Sequence, residues 1–115
     1  MTTRYKKVSD KHYMITYALP GTKFIEVKGE PVNICGMEGI DLFVHRVGKG
    51  RFHVSEGRTG CWFAASNTKA RVISAAIEKV KENPNPRKAV FSCIRYALQQ
   101  YPLSPRYEKV TTCQK

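Results

Sequence analysis

Acidic residues are scarce in this chain of 115. Nine Asp and Glu stand against twenty Lys and Arg, giving a formal net charge of +11 and a pI near 9.8. Asp occurs only at Asp10 and Asp41, so no pair of clustered carboxylates is at hand for acid–base hydrolysis. The sequence holds no HExxH, GxSxG, GxxxxGK[ST] or GxGxxG. Metalloprotease, α/β-hydrolase, P-loop and dinucleotide chemistry therefore lack a basis. No apolar run approaches the ~20 residues of a membrane span. The segment after Met1 is polar and basic rather than a signal h-region. No repeat and no low-complexity block appears. These absences predict a non-enzymatic cytoplasmic protein with no membrane partner and no cofactor.

Close cysteine pairs are missing too. Cys35, Cys61, Cys93 and Cys113 contain no CxxC, and a zinc ribbon or finger needs such pairs to fix its tetrahedron. Without an export signal the thiols are expected to be reduced.

What the chain does have is positive charge and 42% hydrophobic residues, enough for one modest core. The charge is uneven: +4 over residues 1–28, −3 over 29–45, +3 over 46–66, +5 over 67–101 and +2 over 102–115. A positive field attracts polyanions and speeds their encounter, so nucleic acid, DNA or RNA, is the first partner to expect.

Residues 1–12 lack periodicity and read as a flexible basic arm. Residues 13–101 read as a single α+β domain, and 102–115 as a poorly ordered tail. Tyr13–Leu19 and Lys23–Lys28 have strand composition around a Pro20-Gly21-Thr22 turn. A short strand is predicted at Val32–Cys35. Asp41–Val47 and Arg51–Ser55 flank Gly48-Lys49-Gly50, which suits a three-residue hairpin loop with Gly50 left-handed. A third strand, Cys61–Ala65, follows the Glu56–Gly60 turn.

Symmetric pairing at both turns sets Val44 opposite Val54, Val54 opposite Trp62, His45 opposite His53 and His53 opposite Phe63. Leu42, Val44, Phe52, Val54, Trp62 and Ala64 then share one face; Phe43, His45, Arg51, His53, Cys61 and Phe63 share the other. A helix is predicted from a cap at Ser66 or Asn67, with its apolar stripe on Ala70, Ile73, Ala76, Ile77 and Val80. Asn83-Pro84 stops it. Asn85 and Pro86 open a second helix with a stripe through Val90, Phe91, Ile94, Ala97, Leu98 and Tyr101. Strands first and helices last predict an α+β fold: an antiparallel sheet of three to five strands with two C-terminal helices packed on one face.

The candidate phosphate contacts are Arg46, Lys49, Arg51 and Arg58 around the hairpin, Lys69 and Arg71 at the first helix start, and Lys88 and Arg95 on the second helix. Lys88, Ser92, Arg95 and Gln99 fall along one flank of that helix. A twisted hairpin is narrow enough for a major groove, and a helix N-terminus favours phosphate. Phe43, His45, His53 and Phe63 form the candidate stacking or interface set. Aromatics interleaved with cations suit unstacked bases and equally a protein hot spot; the alternative is that the 13–28 hairpin or the tail covers them. His45, His53 and Cys61 are also a conceivable zinc or Cys–His set, against the plainer reading of amphipathic side chains on a partly wet sheet. The open sheet edge allows a homodimer.

Residues 40–82, three strands and a helix, resemble two module types. One is the arm-binding domain of phage-type integrases, whose three-stranded sheet enters a major groove. The other is the C-terminal half of double-stranded RNA-binding domains, to which Thr68-Lys69-Ala70-Arg71 with Ala75-Ala76 is similar. No preceding helix of the second type is visible. The chain also looks like the small accessory proteins of phages and plasmids. Both likenesses imply a nucleic-acid-binding module; the last also implies a protein-binding modulator of a nucleic-acid-handling or defence complex.

Overall fold

A computed structural model of the chain describes residues 2–18 and 21–112. The chain order is β1 (Thr2–Lys7), β2 (His12–Ala18), β3 (Gly21–Val27), β4 (Glu30–Val32), β5 (Leu42–Arg46), β6 (Phe52–Glu56), β7 (Trp62–Ser66), α1 (Lys69–Lys81), α2 (Pro86–Gln100) and β8 (Tyr107–Thr112). The fold is α+β with antiparallel sheets and two helices in the C-terminal half. β4-β5-β6-β7 form one antiparallel sheet, β2–β3 a hairpin, and β1–β8 a third pair. No helix among the described residues is long and apolar enough to cross a membrane.

The central hairpin follows from its residues. Alternating apolar positions pair Val44 with Val54 and His45 with His53, as the spacing predicts. Gly50 has φ +67, a left-handed geometry that side chains with a Cβ resist. The Val47 N–H donates to Arg51 O at 2.8 Å and closes the turn.

β7 departs from the expected register. The Glu56 side chain folds back on its own turn and accepts from the backbone N–H of Arg58 and of Thr59 and from the Thr59 hydroxyl. That turn sets Ser55 opposite Trp62, one position off symmetric pairing. A one-residue slip turns side chains to the other face. A bulge then restores the phase, so Val54 lies opposite Ala64 and His53 opposite Ala65. The predicted pairs Val54–Trp62 and His53–Phe63 are thus corrected. Trp62 leaves the core and Phe63 packs against it.

The main core gathers Val32, Leu42, Val44, Val54 and Ala64 from the sheet, Val72, Ala76 and Val80 from α1, and Ile34, Met37 and Ile40 from the irregular segment before β5. Thr68, rather than Ser66 or Asn67, caps α1 by accepting from the Arg71 N–H at 3.1 Å. The buried line is Val72, Ala76 and Val80, with Ile73 and Ile77 beside it and Ala70 exposed. Burial of one such valine is worth about 2 kcal/mol. α2 begins at Pro86 as predicted, and Asn85 occupies the cap position without a side-chain hydrogen bond. Of its apolar stripe only Ile94 is fully buried, so α2 leaves open space on both flanks.

The arm and the tail need correction. β1 and β8 pair in register from Thr2↔Thr112 to Lys7↔Tyr107. Thr3, Tyr5, Tyr107 and Val110 are β-branched or aromatic and favour extended backbone, and each chain end supplies the partner the other lacks. Leu19, Pro20 and Cys113 lie outside the described residues.

Candidate functional site

The face expected to stack on bases is closed. His12, Phe43, His45, His53 and Trp62 form a row of rings with successive centroids 4.6, 5.1, 5.8 and 5.3 Å apart. Phe43 is 0% and His45 2% exposed, whereas Trp62 at the end of the row is 56% exposed. Gly29 runs so close over His12 and Phe43 that a Cβ there would meet ring atoms at 2.6 and 2.8 Å. Phe43, His45 and His53 are therefore buried packing groups, and Phe63 lies on the helix side. Trp62 is the exposed aromatic that the symmetric register hid.

All three histidines of the chain sit in this row. Burial pushes His45 down to about 4, helped by the neighbouring His53. Burial also lowers His12, with Arg106 adding to it, and His53, with Arg51 adding to it. His45 Nε2 is 2.8 Å from Ser55 Oγ. Cys61 belongs elsewhere, lining the groove beneath α2. Among the described residues no three His, Cys, Asp or Glu side chains assemble as a metal-binding group.

The row makes stability acid-sensitive. Unfolded histidines take up protons near their ordinary 6.5, while folded His45 resists until about 4. The unfolded state binds more protons in that window, so stability is full above it and falls as pH drops through it. His45 alone accounts for about 3 kcal/mol. The urea midpoint is expected to fall markedly between pH 7.5 and 4.5; an unchanged midpoint would contradict the buried neutral row.

A second buried cluster ties the chain ends to the sheet. Arg106 is 5% exposed. Its Nε donates to Asp41 Oδ2 at 2.7 Å, and its Nη1 donates to Ser9 O and Lys11 O at 3.0 Å each. The Tyr107 hydroxyl donates to the same Asp41 oxygen at 2.8 Å. Burial opposes ionisation of Asp41, but the Arg106 and Tyr107 hydrogen bonds prevail and hold it below the usual carboxylate range. Burial, then the bond to Asp41, raises Tyr107.

The candidate cations divide between two places. Arg46 lies opposite Phe52, and Phe52 opposite Ser66, so the Gly48–Gly50 turn and the start of α1 share one end of the sheet. Arg46, Lys49, Arg51, Lys69 and Arg71 belong to that end and are all exposed. Arg46 Nε donates to Gly48 O at 3.1 Å and Arg51 Nε to His53 Nε2 at 3.3 Å, which orients both side chains. Lys69 pairs with Glu30. That pair is exposed on both sides and so of small worth.

The other place is the outer flank of α2. Arg58 and Arg95 line a cleft of about 530 Å³ together with Arg4, Tyr5, Phe91, Ile94, Leu98 and Gln99. Arg4 and Tyr5 were not foreseen as site residues, because the arm carrying them was not read as a strand. Lys88 is exposed on the first turn of α2. The inner flank of α2 borders an apolar groove of about 330 Å³, among whose lining residues are Trp62, Phe63, Val80, Val90 and Ala97.

No protein-family model, curated protein or solved structure matches this chain.

Proposed function

We propose that this chain is a small non-enzymatic nucleic-acid-binding protein that grips the phosphate backbone with the β5–β6 hairpin tip and the start of α1. The observation that carries the reading is the grouping of Arg46, Lys49, Arg51, Lys69 and Arg71, all exposed, at one end of the sheet in a chain of net charge +11. The first turn of α1 holds no acid, so its backbone N–H groups add to the attraction for phosphate. Binding rests on phosphates rather than stacking, because Phe43, His45 and His53 are buried. The test is a gel-shift titration on duplex DNA and duplex RNA. Strong binding in low salt that weakens steeply as salt rises is expected. No binding at low salt would remove the reading, and the ratio of the two affinities reports which duplex is preferred.

A second reading has its own support. Trp62 is 56% exposed and borders the apolar groove under α2, while Tyr96 is 66% exposed. Aromatic anchors beside a groove suit a protein partner, such as a component of a nucleic-acid-handling complex. An association that survives nuclease treatment and is abolished by Trp62→Ala favours this reading; one that nuclease abolishes favours the first.

A further inference from the structure

The geometry points to the cleft between α2 and β1 as a binding site for a nucleotide 5′-phosphate, with the phosphate held by Arg4, Arg58 and Arg95 and the planar base laid on the apolar floor. The inference goes beyond the proposed function, since it needs the α2 cleft and not the hairpin tip.

The cleft's lining combines three features. It contains three arginines and no acid. Guanidinium forks match phosphate oxygens two at a time, which a lysine does not. Its remaining walls are Tyr5, Phe91, Ile94 and Leu98, with Gln99 at one side. Flat rings and aliphatic groups suit the face of a base, and an amide supplies both a donor and an acceptor for a base edge. The volume of about 530 Å³ falls within the roughly 300–1,000 Å³ of small-ligand sites.

Arg58 is the centre of the argument. Its guanidinium lies 5.9 Å from the Phe91 ring centroid and 5.3 Å from that of Tyr107. Two rings thus fix the orientation of a side chain that would otherwise lose rotamer freedom on binding. Its Nη1 is buried without a hydrogen-bond partner. Glu56 Oε2 is 3.8 Å away, near enough to offset charge but too far for a hydrogen bond. Glu56 already accepts from Arg58 N, Thr59 N and Thr59 Oγ1. A half-buried, oriented guanidinium with unused donor capacity is poised to donate to an incoming anion. Arg95 Nη2 reaches Ser92 Oγ at 3.2 Å, and Arg4 is exposed across the cleft. The two can close on the phosphate from either side.

A nucleotide 5′-phosphate can arrive as a free mononucleotide or as the phosphorylated end of a strand. Equilibrium dialysis of the full chain in about 0.15 M salt, where distant charges are screened, separates the two. The probes are adenosine 5′-monophosphate, adenosine, inorganic phosphate, and an oligonucleotide with either a 5′-phosphate or a 5′-hydroxyl. The expected result is that the monophosphate binds at least about tenfold more tightly than adenosine or phosphate alone. Arg95→Gln and Arg4→Gln, both at exposed side chains, should each weaken it about tenfold, while Lys81→Gln, exposed and away from the cleft, leaves it unchanged. A gain from 5′-phosphorylation of the oligonucleotide identifies a strand end as the source; binding of the monophosphate without that gain identifies the free nucleotide. Monophosphate binding no tighter than phosphate, or equal losses from Lys81→Gln and Arg95→Gln, would overturn the site. Duplex binding through the hairpin tip would stand in either case.

Discussion

Arg106→Met is expected to lower the unfolding free energy by about 3 kcal/mol, the lower end of the cost of leaving one member of a buried ion pair alone. Methionine fills similar space but takes three hydrogen bonds with it. Asp41 Oδ2 loses its charged donor, and Ser9 O and Lys11 O lose the fork that holds them. The Tyr107 hydroxyl still donates to Asp41, which keeps the cost from the top of the range. For a domain whose total stability is about 5–15 kcal/mol, this is a large fraction, and the melting temperature should fall by roughly 10 °C. Arg106→Met with Asp41→Asn should cost less than the sum of the two single changes, because the charge left alone is gone. A single-variant loss below about 1 kcal/mol in urea denaturation would mean that the cluster does not bind the ends to the sheet.

The second large effect concerns binding. The triple variant Arg46→Gln, Lys49→Gln and Arg51→Gln removes three of the five cations at the hairpin end. Each phosphate contact contributes about 0.9 to the salt exponent and roughly an eightfold factor at 0.1 M salt. Losing three should weaken duplex binding by about two to three orders of magnitude. None of the three side chains is buried, so the fold should survive and the thermal transition should move little. A similar triple change at Lys6, Lys23 and Lys28, equal in charge, exposed and outside the β5–β6 hairpin, separates placement from net charge. Equal losses from both variants would show that only total charge matters.

How far these sites are legible in the sequence depends on the range of the interaction. The β5–β6 register is set by local alternation and a Gly-Lys-Gly turn, and Val44↔Val54 and His45↔His53 follow from it. The register of β7 is not, because it turns on whether the Glu56 carboxylate caps its own turn. That one side chain decides which of Trp62 and Phe63 faces solvent. The β1–β8 ladder joins the two chain ends, and charged strands of this kind show weak alternation, so neither end reveals its partner. Arg106 carries no local mark of burial; its partner Asp41 is 65 residues away. Seven of the eight candidate cations are exposed, as charge read from a sequence is expected to be, and Arg58 is half-buried. Their division between the hairpin end and the α2 side comes from strand pairing and helix placement, which composition does not encode.

The salt dependence of duplex binding, measured for the native chain and the Arg46, Lys49 and Arg51 triple variant side by side, tests the account most directly. With about five phosphate contacts, the native chain should show log K falling with log salt at a slope near −4 to −5, and the variant a slope shallower by about 2.7. Parallel lines of equal slope would contradict the assignment of the hairpin end as the phosphate grip.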